Sequence, residues 1–155
     1  MAKTLQEILG TPPKDSMFEP VEAGRYMLSV EVAETREARQ REDGSMGYPS
    51  VHTQMRILNP GGPADNRVLF QDFYVNMDNP GLLGFIKSAY ARITGNDLAG
   101  AIQTDTPENA DIAEALAEGI RGGKIMAKVG VRKDSRVGHE GEKVNFIVAW
   151  VDELN

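Results

Sequence analysis

Residues 70–95 read FQDFYVNMDNPGLLGFIKSAYARITG, and the fold turns on the change of period inside them. Up to Val75 the run is aromatic and apolar on both faces, as expected for a strand with a central place in a sheet. Asn79-Pro80 then supplies a helix start. The asparagine side chain can accept an orphan N–H, and proline at the first position lacks a donor that would have no partner there. Leu82, Leu83, Phe85, Ile86, Ala89, Tyr90 and Ile93 recur at three- and four-residue spacing until Gly95. The strand, Arg67 to Val75, is therefore followed by a helix and not by a hairpin partner.

Working outward, two strands precede it. In Arg25 to Val32, Tyr26, Leu28, Val30 and Val32 alternate with Arg25, Met27, Ser29 and Glu31. In Tyr48 to Leu58, Val51, Thr53, Met55 and Ile57 face the core and His52, Gln54 and Arg56 face outward. The polar stretch Thr35 to Gly47 between them reads as a long, mobile hairpin connection, and Asn59-Pro60-Gly61-Gly62-Pro63 breaks the second strand from the third. Downstream, a second helix starts at Thr106-Pro107, carries Ile112, Ala115, Leu116 and Ile120 on one stripe, and ends at Gly122-Gly123. Ile125, Ala127, Val129 and Val131 mark a fourth strand, and Val144, Phe146, Val148 and Trp150 a fifth, on either side of a loop from Lys133 to Glu142. Tyr26, Phe70, Phe146 and Trp150 are expected in the core.

The order β-β-β-α(α)-β-β predicts a mainly β fold: a five-stranded Greek-key barrel of the oligonucleotide-binding (OB) type. Its α-helical insertion, about residues 79–122, falls between strands 3 and 4, and the connection is too long for a hairpin. Residues 1–20 read as an arm, in which Leu5, Ile8 and Leu9 make one amphipathic turn before Gly10, Pro12 and Pro13; residues 21–155 form the barrel domain.

The net charge of −6 counts against a nucleic-acid binder until its distribution is read. Residues 96–120 hold six acids and no Lys or Arg, whereas residues 121–143 carry seven bases against three acids. There are no cysteines, which excludes disulfides and thiol chemistry. No apolar run is long enough to cross a bilayer, and the first ten residues lack the apolar core of a secretion signal, so a cytoplasmic protein is expected.

An OB barrel holds oligonucleotides with its first and last hairpin connections and the face of strands 2 and 3. Phosphates need a track of cations, and bases need flat faces to stack on. The DNA-binding candidates are therefore Arg36, Arg39 and Arg41 in the first connection, Lys133 and Arg136 in the last, and Arg56, Lys124, Lys128 and Arg132 on strands. Tyr48, Phe73 and Tyr74 are the candidate stacking residues. No phosphate loop, nucleophile elbow or histidine–carboxylate metal spacing is present, so neither catalysis, a metal nor a cofactor is expected. His52 reads as a strand surface residue and His139 as a loop tip.

Glu22-Ala23-Gly24-Arg25-Tyr26, Phe70-Gln71-Asp72-Phe73-Tyr74-Val75, the Pro80 to Gly95 helix and Lys128-Val129-Gly130-Val131-Arg132 together resemble a family of small bacteriophage proteins encoded among replication and recombination genes. The resemblance implies an OB-like fold and binding of single-stranded DNA, in the host cytoplasm. It departs from the family in an acidic insertion, Gln103 to Gly119, and in a C-terminus, Asp152-Glu153-Leu154-Asn155, shorter than the acidic tail of replication single-strand binders. Further candidate partners are a second copy of the chain and phage or host replication and recombination proteins. The alternative reading is a non-enzymatic phage assembly or adaptor protein that uses the barrel as a scaffold for protein contacts.

Overall fold

Side chains that alternate along a strand leave one face of each strand to be buried, and five such strands here share one core. A computed structural model describes residues 19–134, 138 and 141–154. It contains β1 (Gly24–Arg36), β2 (Ser50–Leu58), β3 (Val68–Tyr74), α1 (Pro80–Thr94), a 3-10 turn (Leu98–Ala101), α2 (Asn109–Ile120), β4 (Lys124–Lys133) and β5 (Lys143–Trp150). The strands form one antiparallel sheet in the order β3-β2-β1-β4-β5. Residues 1–18 of the expected arm lie outside the described residues. No helix among the described residues is long and apolar enough to cross a membrane.

The inner face of the sheet packs on both helices. Leu28 and Val30 of β1, Val51, Met55 and Ile57 of β2, Phe73 of β3 and Ala127 and Val129 of β4 are buried together with Ile86 and Tyr90 of α1 and Ile112, Leu116 and Ile120 of α2. Thr53, the polar residue in this layer of β2, donates its hydroxyl to the Gln71 carbonyl at 2.6 Å, so burial leaves no bond unmade. β3 was expected centrally and instead ends the row. The two ends of the row, β3 and β5, meet through rings rather than through a ladder. Phe73 lies 6.1 Å from Trp150, and Phe85 of α1 stacks on Trp150 at 4.8 Å and tilts against Phe73 at 5.8 Å. Trp150 Nε1 donates to the Phe85 carbonyl at 3.0 Å, which fixes the tryptophan on the helix.

α1 begins as its sequence predicts: Asn79 Oδ1 accepts from Leu82 N at 3.1 Å, Pro80 follows, and Gly95 closes the helix at φ 77°. α2 starts later than Thr106-Pro107. Its first turn is set by Asp111, whose carboxylate accepts from the Glu108 N–H at 2.8 Å.

Two bulges redirect side chains. In β1 the register jumps between Val30 and Val32, so Ala33 turns inward opposite Thr53, and Val32, expected in the core, pairs with outward Gln54. Bonds from Val30 N to Gly123 O and from Gly122 N to Val30 O, both 2.8 Å, hold the bulge beside the β4 start. In β5, Ile147 pairs with Val129 and Ala149 with Lys128, leaving Val148 extra and 46% exposed. The connection after β1, expected to be mobile, makes its own turn, with a Gln40–Met46 bridge and Gly44 at φ 87°.

Candidate nucleic-acid interface

The register fixes which side chains share the outer face of the sheet. Three rows cross β1, β2 and β3: Arg36–Ser50–Tyr74, Glu34–His52–Asp72 and Val32–Gln54–Phe70. The next row crosses four strands, Lys124–Ser29–Arg56–Val68, and beyond it Lys128 faces Arg25. Arg132 continues the same side of β4, opposite Val144.

Aromatic side chains mark the β3 end of this face. Phe70 and Tyr74 are 46% and 52% exposed, and the His52 ring stacks on Phe70 at 6.0 Å between centroids. His52 is held in turn by Asp72, with Nδ1 2.6 Å from a carboxylate oxygen. Two expectations are corrected here. Phe73, a candidate stacking residue, is 2% exposed in the core and presents no face to a ligand. Phe70, assigned to the core, stands outside in its place. The parity of the strand explains the exchange, since residues 70, 72 and 74 share one side and 69 and 73 the other. Tyr48, 41% exposed, precedes β2 with the Arg41 guanidinium 5.9 Å above its ring.

The cations divide into groups. Lys124 and Lys128 are exposed and make no salt bridge among the described residues. Arg132 lies over the Phe146 ring at 5.1 Å, an arrangement that Gly130 permits, because a Cβ there would meet that ring at 2.8 Å. Arg25, opposite Lys128, donates to the Glu153 carbonyl at 3.3 Å. Arg56 is committed to Glu31 through two bonds of 2.6 and 3.1 Å and to the Asn66 carbonyl at 3.0 Å. The hydrogen bonds to Glu31 raise its already high pKa, against a smaller opposing effect of burial. Arg36, Arg39 and Arg41 sit at the far end of β1, mixed with Glu37, Glu42 and Asp43. The Asp43 carboxyl is lowered from its ordinary pKa by bonds from the Ser45 hydroxyl and N–H.

Arg36 closes one end of β1, while Lys128 faces the other end and Arg132 and Lys133 run past it. Arg136 lies outside the described residues, as does His139.

No protein-family model matches the chain, and no curated protein matches it in sequence. The solved structure of yeast RPA bound to ssDNA is similar to it, over 100% of this chain and 89% of that one, at 9% identity and a TM-score of 0.38.

On the outer positions of the strands, six cations (Arg25, Arg36, Arg56, Lys124, Lys128, Arg132) stand against three carboxylates (Glu31, Glu34, Asp72) among the described residues. The exposed acids Glu114 and Glu118 belong to α2, packed on the inner side. Among the described residues no three His, Asp or Glu side chains gather as a metal site. What this face offers chemically is exposed rings at one end, cations at the other, and polar side chains such as Gln54 and Ser29 between.

Proposed function

We propose that the protein is a non-catalytic binder of single-stranded DNA that tolerates any sequence and acts in phage DNA replication or recombination. The observation that carries the reading is the outer sheet face, where exposed Phe70 and Tyr74 share a continuous surface with Lys124, Lys128 and Arg132. Unstacked bases have apolar faces that need such rings, and the phosphates between them need such cations. A duplex hides its base faces, so exposed rings favour the single strand. The strand order supports an OB-type Greek-key barrel left partly open between β3 and β5, a fold whose β2–β3 face holds oligonucleotides. The phage setting rests on the sequence resemblance, carried by Glu22 to Tyr26, Phe70 to Val75, Pro80 to Gly95 and Lys128 to Arg132.

The test is a fluorescence titration of labelled oligo-dT and of a duplex of equal length at low salt. Binding of oligo-dT in the micromolar range or tighter, weakening steeply as salt rises and exceeding duplex binding, is the expected result. No binding of oligo-dT at low salt overturns the proposal.

A further inference from the structure

The exposed rings and the exposed lysines of the outer face do not intermingle. Tyr74 and Phe70 occupy the β3 end, with Asp72 between them on the same strand and Glu34 two strands away in the Asp72 row, carboxylates that repel phosphate. Arg36 stands at the outermost row there, with Glu37 next to it in the chain. The Arg56–Glu31 ion pair lies at the boundary and cancels itself. Past that boundary come Lys124, Lys128 and Arg132, with Met27 and Met126 between them and, among the described residues, no exposed ring. Phe146, the aromatic on that side, is half-buried beneath Arg132.

We infer, resting on the single-strand reading above, that the ligand is held by two unlike halves in series: a stacking half at Tyr74 and Phe70, and a phosphate half at Lys124, Lys128 and Arg132. Tyr74 and Lys128 are ten residues apart in the strand direction and three strands apart across the sheet. At about 3.3 Å per residue and about 4.8 Å per strand, the surface path between them is about 36 Å. That is about ten nucleotides at a stacked spacing of about 3.4 Å, and fewer when the strand is stretched. The preferred ligand is therefore a single strand long enough to reach both halves, and its bases matter at one end only. Over the phosphate half the sugar–phosphate chain alone is sufficient.

The experiment uses fluorescence anisotropy with oligo-dT and with two chimeras of the same length, in which either the 5′ or the 3′ half is abasic. One chimera is expected to bind within about threefold of full oligo-dT, and the other to lose tenfold or more, since each stacked base contributes about 1–3 kcal/mol, about five- to over a hundredfold. The one that fails also gives the polarity of the bound strand. Lys124→Ala with Lys128→Ala is expected to lower the steepness of the salt dependence by about 1.4, about 0.7 for each phosphate released, while Phe70→Ala with Tyr74→Ala weakens binding at unchanged steepness. Equal losses by both chimeras, or a salt dependence that changes with the aromatic pair, overturns the two-half arrangement while leaving single-strand binding intact. Failure of full oligo-dT to bind overturns the single-strand reading itself.

Discussion

Phe70 and Phe73 are three positions apart and opposite in fate. Phe73 is 2% exposed and wedged between Phe85 and Trp150, whereas Phe70 is 46% exposed and stacks flat on His52. Phe70→Ala is expected to weaken oligo-dT binding by about 1–3 kcal/mol. Its effect on folding should be small, because little core is removed. Phe73→Ala removes a fully packed ring and is expected to cost about 3–5 kcal/mol of stability. Anisotropy and thermal unfolding of the two variants separate the roles: a binding loss for Phe73→Ala without loss of stability contradicts this assignment. The alternation of residues 69 to 74 is legible in the sequence, but not which parity faces inward, because both carry aromatics. Arg56 illustrates a second limit. Its outward direction follows from the strand period, but its capture by Glu31 comes from cross-strand register, which one sequence does not display.

Strands and helices are readable where a single period runs unbroken, as in β2 and α1, whose core stripes and caps match their spacing. They are misread where one residue is inserted. The bulges at Glu31 and Val148 each reverse the facing of the neighbouring residues, sending Val32 and Val148 outward, and a period-two pattern cannot register an extra residue. Contact between helices depends on an equally local feature. Gly119 of α2 lies under the Tyr90 ring of α1, and a Cβ there would fall 2.1 Å from a ring carbon. Alanine in a helix is favoured over glycine by about 1 kcal/mol, but Tyr90 is buried and its ring would have to shift within the core. Gly119→Ala is therefore expected to destabilise the protein by about 1–3 kcal/mol net, from overpacking. A raised melting temperature would show that the helices yield. Where β3 and β5 meet, Trp150→Phe keeps a ring but removes the donor to the Phe85 carbonyl, which retains its partner within α1, for an expected loss of about 0.5–1.5 kcal/mol from the missing bond. Because Trp150 is the sole tryptophan, the unfolding of this variant is followed by circular dichroism, while fluorescence of the parent chain reports the seam directly.

The sign of the whole chain, −6, conceals how its charge is arranged across the sheet. The acids of α2 lie on the helix side, and the outward cations of β1 and β4 lie on the other. Between them stands a packed layer of apolar side chains, and in physiological salt the field of an exposed charge fades over about 8 Å. A DNA strand bound to the outer face, as proposed, is thus expected to respond to the lysines beneath it and hardly to the helix behind the sheet. This separation makes a test that net charge alone cannot mimic. Reversing Glu114 and Glu118 to lysine moves the net charge from −6 to −2, two units for each reversal. At about 0.15 M salt it is expected to alter oligo-dT affinity by less than about twofold. Reversing Lys124 and Lys128 to glutamate moves the net charge to −10 by the same arithmetic, yet is expected to weaken binding by tenfold or more, because direct phosphate contacts are lost. Titrations of both double variants decide the matter. If the helix reversal strengthens binding as much as the strand reversal weakens it, the DNA is responding to overall charge, and the outer face is not where it lies.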